Sequence, residues 1–328
     1  MKAARLFGPG DVRMVEEPAP LPGPGECLVR VTAVGICGSD LHWFGEGRIG
    51  GSVLSRPLVL GHEIAGVAES GPLEGRAVAV DPAVPCGRCE RCREGYYNLC
   101  PHGRFAGHGA TDGGLRQYMA WPATELEPVP DHFSPATVAL LEPLGVALHA
   151  LDLGWKRFAA SVAVVGCGPI GLMLVELARA AGASRVVAVE PLEHRRAAAL
   201  RAGADEVVGP EEAGRLPEVD LSIEVAGNDV AVAAAVSLVR PGGRLVLVGI
   251  PDDDRTVLPA AEARRKGLTI KLTRRMNEAY PRAIDVARRN VIDLEWLVSA
   301  TFELARTREA LAAAARRDGL KVVVVPEG

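Results

Sequence analysis

The sequence predicts an α/β protein in which a mainly β region precedes a doubly wound parallel sheet. Two observations lead to this prediction. The first 140 or so residues combine short β-type runs with frequent glycine and proline, which is typical of short strands joined by irregular loops. From about residue 155, apolar strand patterns alternate regularly with helical patterns. Repeated βαβ units of this kind imply a parallel sheet that is covered on both faces.

The strands of the first region are predicted from apolar runs that are bounded by turn residues. Glycine and proline in the segment PGPGE mark a turn before the first run. The runs read ECLVRVTAVGIC, PLVLGHEIAGVAES and RAVAVDPAV. Late in the chain, YPRAIDVARRN and RTREALAAAARRD predict two helices, and KVVVVP predicts a closing strand.

The second region opens on SVAVVG, a fully apolar run that predicts a buried strand. A helix follows in IGLMLVELARAAG, and Gly182 is placed to end it. RVVAVE predicts the next strand, and LEHRRAAALRAGA predicts a second helix that ends at Gly203. Further strands are expected in DEVVG, DLSIEVAG, GRLVLVGI and LTIKLT, with a helix in NDVAVAAAVSLV.

Length and composition restrict the class of protein. A chain of 328 residues is long enough for about two domains, and 48% hydrophobic with 24% charged residues is an ordinary globular balance. The net charge of −4 and the lack of a basic stripe argue against a nucleic-acid partner. The longest apolar runs fall short of a membrane span, and the N-terminal segment lacks the apolar core of a signal peptide. We therefore expect a cytoplasmic protein with no membrane partner.

Four cysteines lie within fifteen residues in the segment PCGRCERCREGYYNLC. Thiolates at this spacing can converge on one tetrahedral Zn²⁺ ion. The alternative is a pair of disulfides or separate reduced thiols, and the absence of a secretory segment argues against disulfides. A closed site of four thiolates has no open coordination position, so we expect it to hold a loop and not to react. The four residues are Cys86, Cys89, Cys92 and Cys100.

A glycine motif follows the first apolar strand of the second region and opens a helix. This context favours a dinucleotide site over an ordinary tight turn. Gly166 permits the turn, Gly168 lets the backbone approach a pyrophosphate, and Gly171 lets the helix pack closely on the strand. The pyrophosphate is expected on the helix N-terminus, where free N–H groups attract an anion. The intervening positions of the predicted site are Pro169 and Ile170.

Glu190 ends the second strand of this region, nineteen positions after Gly171. A carboxylate at this point can bind the ribose hydroxyls of the coenzyme and repels a 2′-phosphate, which favours NAD over NADP. The alternative for Glu190 is a solvated strand end. Arg195 and Arg196 nearby could instead accommodate a 2′-phosphate, so NADP stays open.

A second, mixed set of possible metal ligands is spread along the first region. Cys37, His62, Glu63 and Glu142 combine a thiol, an imidazole and carboxyl groups, which suits a catalytic zinc that keeps one position open. Each of them alone could be structural. Beside a hydride acceptor, a Lewis acid is what the oxidation of an alcohol requires.

With these motifs in view, the chain resembles the zinc-dependent medium-chain alcohol dehydrogenases over nearly its whole length. Within that family, GEGRIGG and the EPL motif resemble the polyol branch, which contains sorbitol, xylitol and L-idonate dehydrogenases, with the threonine dehydrogenases nearest outside it. The segments that carry the resemblance are GICGSDLH, LGHEIAG, PCGRCERC with Cys100, LEPLGVALHA, VVGCGPIG, IEVAG and RPGGRLVLVGIP.

The resemblance implies a GroES-like, mainly β catalytic domain at residues 1–146 and 277–328, and a Rossmann doubly wound parallel-sheet coenzyme domain at 147–276. It implies one catalytic and one structural Zn²⁺ per chain, NAD as coenzyme, and a homotetramer, with a homodimer as the alternative. Cys37, His62 and Glu63 would hold the catalytic zinc. Glu142 would be a further ligand or a close partner of the zinc-bound water.

The resemblance also implies roles for residues around these sites. Ser39 would take the proton of the substrate hydroxyl and pass it, through the nicotinamide ribose, toward His42, while Asp40 supports the ligands from outside. Arg195 matches an arginine that follows the acidic ribose ligand in the family. The remaining coenzyme residues are Val248, Gly249 and Ile250.

Some positions depart from the polyol pattern, and they leave the substrate open. The family usually has an aromatic residue after a substrate-contacting arginine, whereas Arg275 is followed by methionine here. Trp43 stands where a tyrosine is common. Trp43 and Phe105 could line a substrate pocket, although packing in the core is equally expected of them.

The sequence thus predicts an NAD-dependent enzyme that oxidises a secondary hydroxyl group of a polyol or sugar acid to a ketone. One alternative is an L-threonine 3-dehydrogenase or another secondary-alcohol dehydrogenase. Another is a catalytically silent, zinc-stabilised binding protein, which loss of a catalytic ligand would have favoured.

Overall fold

The computed structural model describes residues 1–326, and the chain divides into two compact units. The first unit contains Met1–Glu142, Tyr280–Arg289 and the chain from Asp293 onward. The second contains Pro143–Ala279 and Asn290–Ile292. The domain limits inferred from the sequence, 1–146 with 277–328 and 147–276, remain a prediction.

Short strands dominate the first unit, and longer parallel strands form the second. The strands are β1 (Lys2–Gly8), β2 (Asp11–Glu16), β3 (Glu26–Gly35), β4 (Arg48–Ile49), β5 (Ser52–Val53), β6 (Leu58–Val59), β7 (Glu63–Ala68), β8 (Ala77–Val80), β9 (Ala83–Val84), β10 (Arg104–Phe105), β11 (Tyr118–Pro122), β12 (Leu126–Pro128), β13 (Ser161–Val165), β14 (Arg185–Val189), β15 (Glu206–Val208), β16 (Val219–Glu224), β17 (Val239–Leu247), β18 (Thr269–Leu272), β19 (Val298–Glu303) and β20 (Lys321–Val325).

The helices flank these strands or lie in the connections between them. They are α1 (Gly38–Glu46), α2 (Glu90–Arg93), α3 (Pro135–Ala139), α4 (Leu141–Gly154), α5 (Pro169–Ala180), α6 (Glu193–Arg201), α7 (Asp229–Leu238), α8 (Ala260–Lys266), α9 (Tyr280–Arg288) and α10 (Thr307–Arg316).

The core of the first unit packs on a seven-stranded sheet in which β3 is central. The order is β12-β8-β7-β3-β20-β19, and β11 also pairs with β3. Side chains of β3 alternate between buried and half-buried over most of its length, which is the period of a strand with one face on a core. Strand β20 pairs with the C-terminal end of β3, at Val34 and Gly35, and so brings the last segment of the chain to the centre of the unit.

The second unit contains a six-stranded parallel sheet in the order β15-β14-β13-β16-β17-β18. Four of the five residues of β13 are buried, and the same holds for β14, as expected of strands covered on both faces. The strand order reverses between β13 and β16. In a doubly wound sheet, ligands bind outside the carboxyl ends of the strands at such a reversal.

The helix ends predicted in this unit agree with the structure. Helix α5 stops just before Gly182, which has a φ of 84°, and α6 stops just before Gly203, with a φ of 102°. Both conformations lie in the left-handed region, which glycine adopts without strain. Several elements lie outside the sequence prediction, among them β1, β2, β11, β12, β19, α1, α4, α8 and the start of β17 at Val239.

One helical segment, Pro135–Gly154, is long and apolar enough to cross a membrane by length and composition alone. The expectation from sequence that the longest apolar runs fall short of a membrane span did not include this segment. In the structure 72% of its most apolar window is buried inside the protein. The segment therefore behaves as a core helix.

Candidate active site

The turn between β3 and α1 places the first predicted ligand. Cys37 is the N-cap of α1, and its N–H donates to the Asp40 carboxylate over 2.9 Å, which closes the first turn of the helix. The other Asp40 oxygen accepts the N–H of Gly61 over 3.1 Å. Asp40 is 1% exposed, so a buried carboxylate ties the Cys37 turn to the segment before β7.

The pairing of β3 with β7 places the other two ligands. Glu63 opens β7 opposite Gly35, and His62 directly precedes it. One donor atom each of Cys37, His62 and Glu63 lies within 4.8 Å of the others. Gly35 leaves room for this arrangement, because a Cβ atom on it would lie 1.9 Å from Oε2 of Glu63 and would displace the carboxylate. The structure thus brings together three predicted ligands that are distant in sequence.

The surroundings of this set are rich in negative charge. Burial acts to lower the pKa of His62, but the charges of Asp40 and Cys37 outweigh it and raise the pKa well above its usual value. Burial raises the pKa of Glu142 to about 7. Glu142 lies outside the compact set, yet close enough for the charges of His62 and Glu63 to act on its pKa.

Lys321, the first residue of β20, supplies positive charge to the same place. Its Nζ donates to Oε1 of Glu63 over 2.5 Å and to the carbonyl of Ile36 over 3.0 Å. Oε2 of Glu63 also contacts this ammonium group but accepts no hydrogen bond. A soft thiol, an imidazole and a carboxylate with an unsatisfied oxygen form a donor set that fits Zn²⁺.

The residues predicted to transfer protons and to contact the substrate differ in how close they lie to this ligand set. Oγ of Ser39 is 3.4 Å from Nε2 of His62. His42 lies one turn along α1, with Nδ1 at 3.9 Å from the Glu46 carboxylate. The ring of Phe105 is tilted against the His62 ring at 5.3 Å, whereas Trp43 is only 2% exposed and packs in the core.

The four clustered cysteines converge, and none forms a disulfide. The sulfur of Cys89 lies 3.5 Å from that of Cys92 and 3.8 Å from that of Cys100. Four thiolates around Zn²⁺, with Zn–S distances of about 2.3 Å, form a tetrahedron with edges of about 3.8 Å. The sulfur positions therefore fit a zinc ion, and Cys86 completes the set.

The glycine motif of the second unit has the geometry of a phosphate-binding turn. Gly166 has a φ of 100°, and Gly168 caps α5, whose first residues are Pro169 and Ile170. A Cβ on Gly171 would lie 2.0 Å from the Gly166 carbonyl, so only glycine allows this approach.

Glu190 lies directly beside this turn. Its carboxylate accepts the N–H of Cys167 over 2.7 Å and the N–H of Leu192 over 3.0 Å, and the residue is 4% exposed. Glu190 is therefore buried and does not lie at a solvated strand end. Arg195 reaches toward the turn, with a guanidinium nitrogen 3.7 Å from where a Cβ of Gly168 would stand.

A cavity of about 180 Å³ lies at the carboxyl ends of β16, β17 and β18. Val248, Gly249 and Ile250 line it, together with Glu224 and Thr273. Arg275, the predicted substrate residue, follows β18 in the same unit, half-buried and with a φ of 54°.

Comparison with known proteins defines the class. An alcohol dehydrogenase GroES-like domain matches residues 23–131, and a zinc-binding dehydrogenase domain matches residues 169–289. These two domains together define an oxidoreductase of the alcohol dehydrogenase type. The sorbitol dehydrogenase of Bacillus subtilis (strain 168) is 35% identical over 343 residues, which cover 99% of this chain and 97% of the relative.

Solved structures agree with this class. L-idonate 5-dehydrogenase from Escherichia coli K-12 superimposes with a TM-score of 0.92 at 29% identity, covering 99% of this chain and 97% of that one. A zinc-binding dehydrogenase from Sinorhizobium meliloti 1021, bound to NADP, superimposes with a TM-score of 0.91 at 29% identity, covering 99% of both chains. The chain belongs to the zinc-binding medium-chain dehydrogenases, and it is an enzyme of the alcohol and polyol dehydrogenase class. The predicted fold class, a GroES-like domain with a Rossmann coenzyme domain, is confirmed.

Two residues near these sites are missing from the sequence prediction. One weak feature of the sequence points to Lys321, because it is a basic residue at the start of an otherwise all-valine strand. Glu224 carries a similar one, an acid at the end of the strand VDLSIE. Both are buried charged groups, which rarely occur without a partner.

Proposed function

We propose that this enzyme oxidises a secondary hydroxyl group of a polyol or sugar acid to the ketone, with NAD as hydride acceptor. The observation that carries the proposal is the convergence of Cys37, His62 and Glu63 within 4.8 Å, beside the hydroxyl group of Ser39. The sorbitol and L-idonate dehydrogenases among the relatives support this substrate class.

We assign two zinc sites to the chain. Cys37, His62 and Glu63 would hold the catalytic ion, with Glu142 beside them, and Cys86, Cys89, Cys92 and Cys100 would hold the structural one. A catalytic zinc, when bound, supplies Lewis-acid polarisation of the substrate oxygen.

The protein's own residues orient the ligands and move the proton. The Asp40 carboxylate lies 3.6 Å from Nδ1 of His62 and fixes the imidazole ring, as carboxylates commonly do for metal-binding histidines. Ser39 would accept the proton of the substrate hydroxyl group as it gives up its own, and His42 on α1 would be the final proton acceptor.

The coenzyme is NAD in this proposal. The buried Glu190 carboxylate stands next to the glycine turn, where it binds ribose hydroxyls and repels a 2′-phosphate. The Sinorhizobium meliloti structure contains NADP, so the fold alone does not decide between the coenzymes. We also propose a cytoplasmic homotetramer, with a homodimer as the alternative; seven unpaired cysteines support a reducing compartment.

A substrate panel tests the proposal. Reduction of NAD⁺ and NADP⁺ at 340 nm is followed with sorbitol, xylitol, L-idonate, galactitol and L-threonine. We expect turnover with a polyol or sugar acid, loss of turnover after chelation of zinc, and recovery when Zn²⁺ is returned. Turnover of L-threonine alone would assign the enzyme to the other branch, and no turnover on the panel would refute the substrate class.

A further inference from the structure

Glu224, the last residue of β16, is a buried acid that the proposed chemistry does not use. It is 1% exposed. Its Oε1 accepts the N–H of Ala226 over 2.7 Å and that of Gly227 over 2.6 Å. Its main-chain carbonyl accepts the N–H of Val248 over 2.8 Å and that of Gly249 over 3.3 Å. The side chain of Glu224 therefore holds the turn after β16, and its main-chain carbonyl holds the turn after β17.

These two turns touch each other through their backbones. A Cβ atom on Gly227 would lie 2.4 Å from the carbonyl oxygen of Ile250. A Cβ atom on Gly249 would lie 2.1 Å from the nitrogen of Gly227 and 2.9 Å from Oε2 of Glu224. The carboxyl group of Glu224 thus lies at the contact between the two turns.

The turn after β16 also contacts the glycine motif on its other side. A Cβ atom on Gly166 would lie 3.0 Å from the nitrogen of Ala226, and the N–H of Val225 donates to the carbonyl of Val165 over 2.8 Å. The turn held by Glu224 therefore lies between the pyrophosphate turn at Gly166 and the turn that carries Val248 to Ile250.

The environment of the carboxyl group agrees with a positioning role. Burial raises the pKa of Glu224, and the N–H groups of Gly227, Ala226 and Gly249 act in the opposite direction. A buried carboxyl group is costly unless hydrogen bonds satisfy it, and here the N–H groups of Ala226 and Gly227 do so.

We propose that Glu224 is a positioning residue that sets the spacing between the pyrophosphate half and the nicotinamide half of the coenzyme site. The inference rests on the proposed NAD function and on the coenzyme role of residues 166–171 and 248–250. A dinucleotide has to engage both turns, and so its affinity depends on Glu224. Adenosine 5′-monophosphate (AMP) binds only on the side of Gly166 and Glu190. Its affinity therefore does not depend on Glu224.

The test compares Glu224→Ala, Glu224→Asp and Glu224→Gln in the zinc-loaded enzyme. Aspartate withdraws the carboxyl group by one methylene, whereas glutamine keeps the length and an acceptor oxygen for Ala226 and Gly227. The matched control is Glu206→Ala, because Glu206 lies on the same sheet, is exposed and pairs with Arg185. NADH binding is followed by coenzyme fluorescence and AMP binding by calorimetry.

We expect alanine and aspartate to raise the Kd for NADH at least about tenfold, equivalent to about 1.4 kcal/mol. Glutamine should restore the NADH affinity to within about threefold of wild type, and AMP affinity should stay unchanged in all variants. If the Glu224→Ala variant does not fold, the comparison of Glu224→Asp with Glu224→Gln decides the outcome. Unchanged NADH affinity, or an equal loss of AMP affinity, would overturn the inference. If the wild-type enzyme binds neither NAD⁺ nor NADH, the proposed function fails instead.

Discussion

Lys321 and Glu63 form an ion pair in the interior of the first unit, although 258 residues separate them in the chain. Their side chains are 3% and 1% exposed. A charge that loses its partner at such a depth is strongly destabilising, because water cannot solvate it. The pair therefore ties the stability of the unit to one of the ligands we assign to zinc.

Lys321→Met is expected to destabilise the metal-free protein by about 3 kcal/mol, since it leaves the Glu63 carboxylate uncompensated. Combining Lys321→Met with Glu63→Gln should restore part of the lost stability. Urea denaturation of the chelated single and double variants measures both effects. The exposed Lys271→Met in β18 is the control and should change the stability by less than about 0.5 kcal/mol. Additive losses in the double variant would contradict a direct pairing.

Cys37→Ser should abolish turnover, with at least a hundredfold loss of kcat/KM as a rough lower limit, while the protein stays folded and binds NADH. The reason is that Cys37 contributes one of three converging donors and no core packing. Steady-state kinetics, circular dichroism and NADH fluorescence measure the three properties. Unfolding of this variant would mean that the mixed ligand set is structural.

Cys92→Ser should lower the zinc content from about two ions to about one per chain, because three thiolates and a hydroxyl hold the ion poorly. Elemental analysis of purified protein measures the metal. Cys27→Ser is the matched control, since Cys27 is buried away from the cluster. A zinc content unchanged by Cys92→Ser would remove the structural site from the proposal.

Glu190→Ala should relax the preference for NAD over NADP by about tenfold in kcat/KM, because the charge that repels a 2′-phosphate is gone. The same change should also weaken NAD binding, since Glu190 accepts the N–H of Cys167 in the glycine turn. Kinetics with both coenzymes measure the ratio. An unchanged ratio would refute the role given to Glu190.

Asp220 predicts a pH dependence of stability in the second unit. Burial alone raises the pKa of Asp220, but hydrogen bonds from Ser161 and from two arginines outweigh it and hold the pKa well below its usual range. The unfolded pKa is about 3.9. The stabilisation is therefore complete above that pH and is lost as the pH falls toward the folded pKa.

Asp220→Asn should accordingly cost about 2 kcal/mol at pH 7. The difference from wild type should shrink below about pH 4, where the unfolded chain also takes up the proton. Denaturation at pH 7, 5 and 3.5 measures the difference. A difference in stability that stays constant from pH 7 to pH 3.5 would rule out a contribution from the titration of Asp220.

A site can be predicted from sequence most directly where its residues are neighbours along the chain. The four clustered cysteines lie within fifteen residues, and the glycine motif lies on one turn between a strand and a helix. Spacing alone then fixes which side chains can meet. Even Cys37 and His62 are recognisable, because each stands beside a tight turn in a characteristic segment.

The partners of these residues depend on strand pairing, which spacing does not reveal. Lys321 reaches Glu63 only because β20 pairs with β3 near Gly35. Glu224 reaches the turn after β17 only because β16 and β17 are neighbours in the sheet. Trp43 is nearly fully buried for the same reason: the α1 turn folds onto a core assembled from distant strands.

The position of β20 has a consequence for the order in which the chain folds. Ile36 and Lys321 are in contact across 285 residues, so a ribosome making about ten residues per second needs about half a minute between them. During that time the parallel sheet of the second unit can form, while β3 still exposes its unpaired edge near Gly35. The nascent first unit is then open to edge-to-edge aggregation until β20 covers that edge.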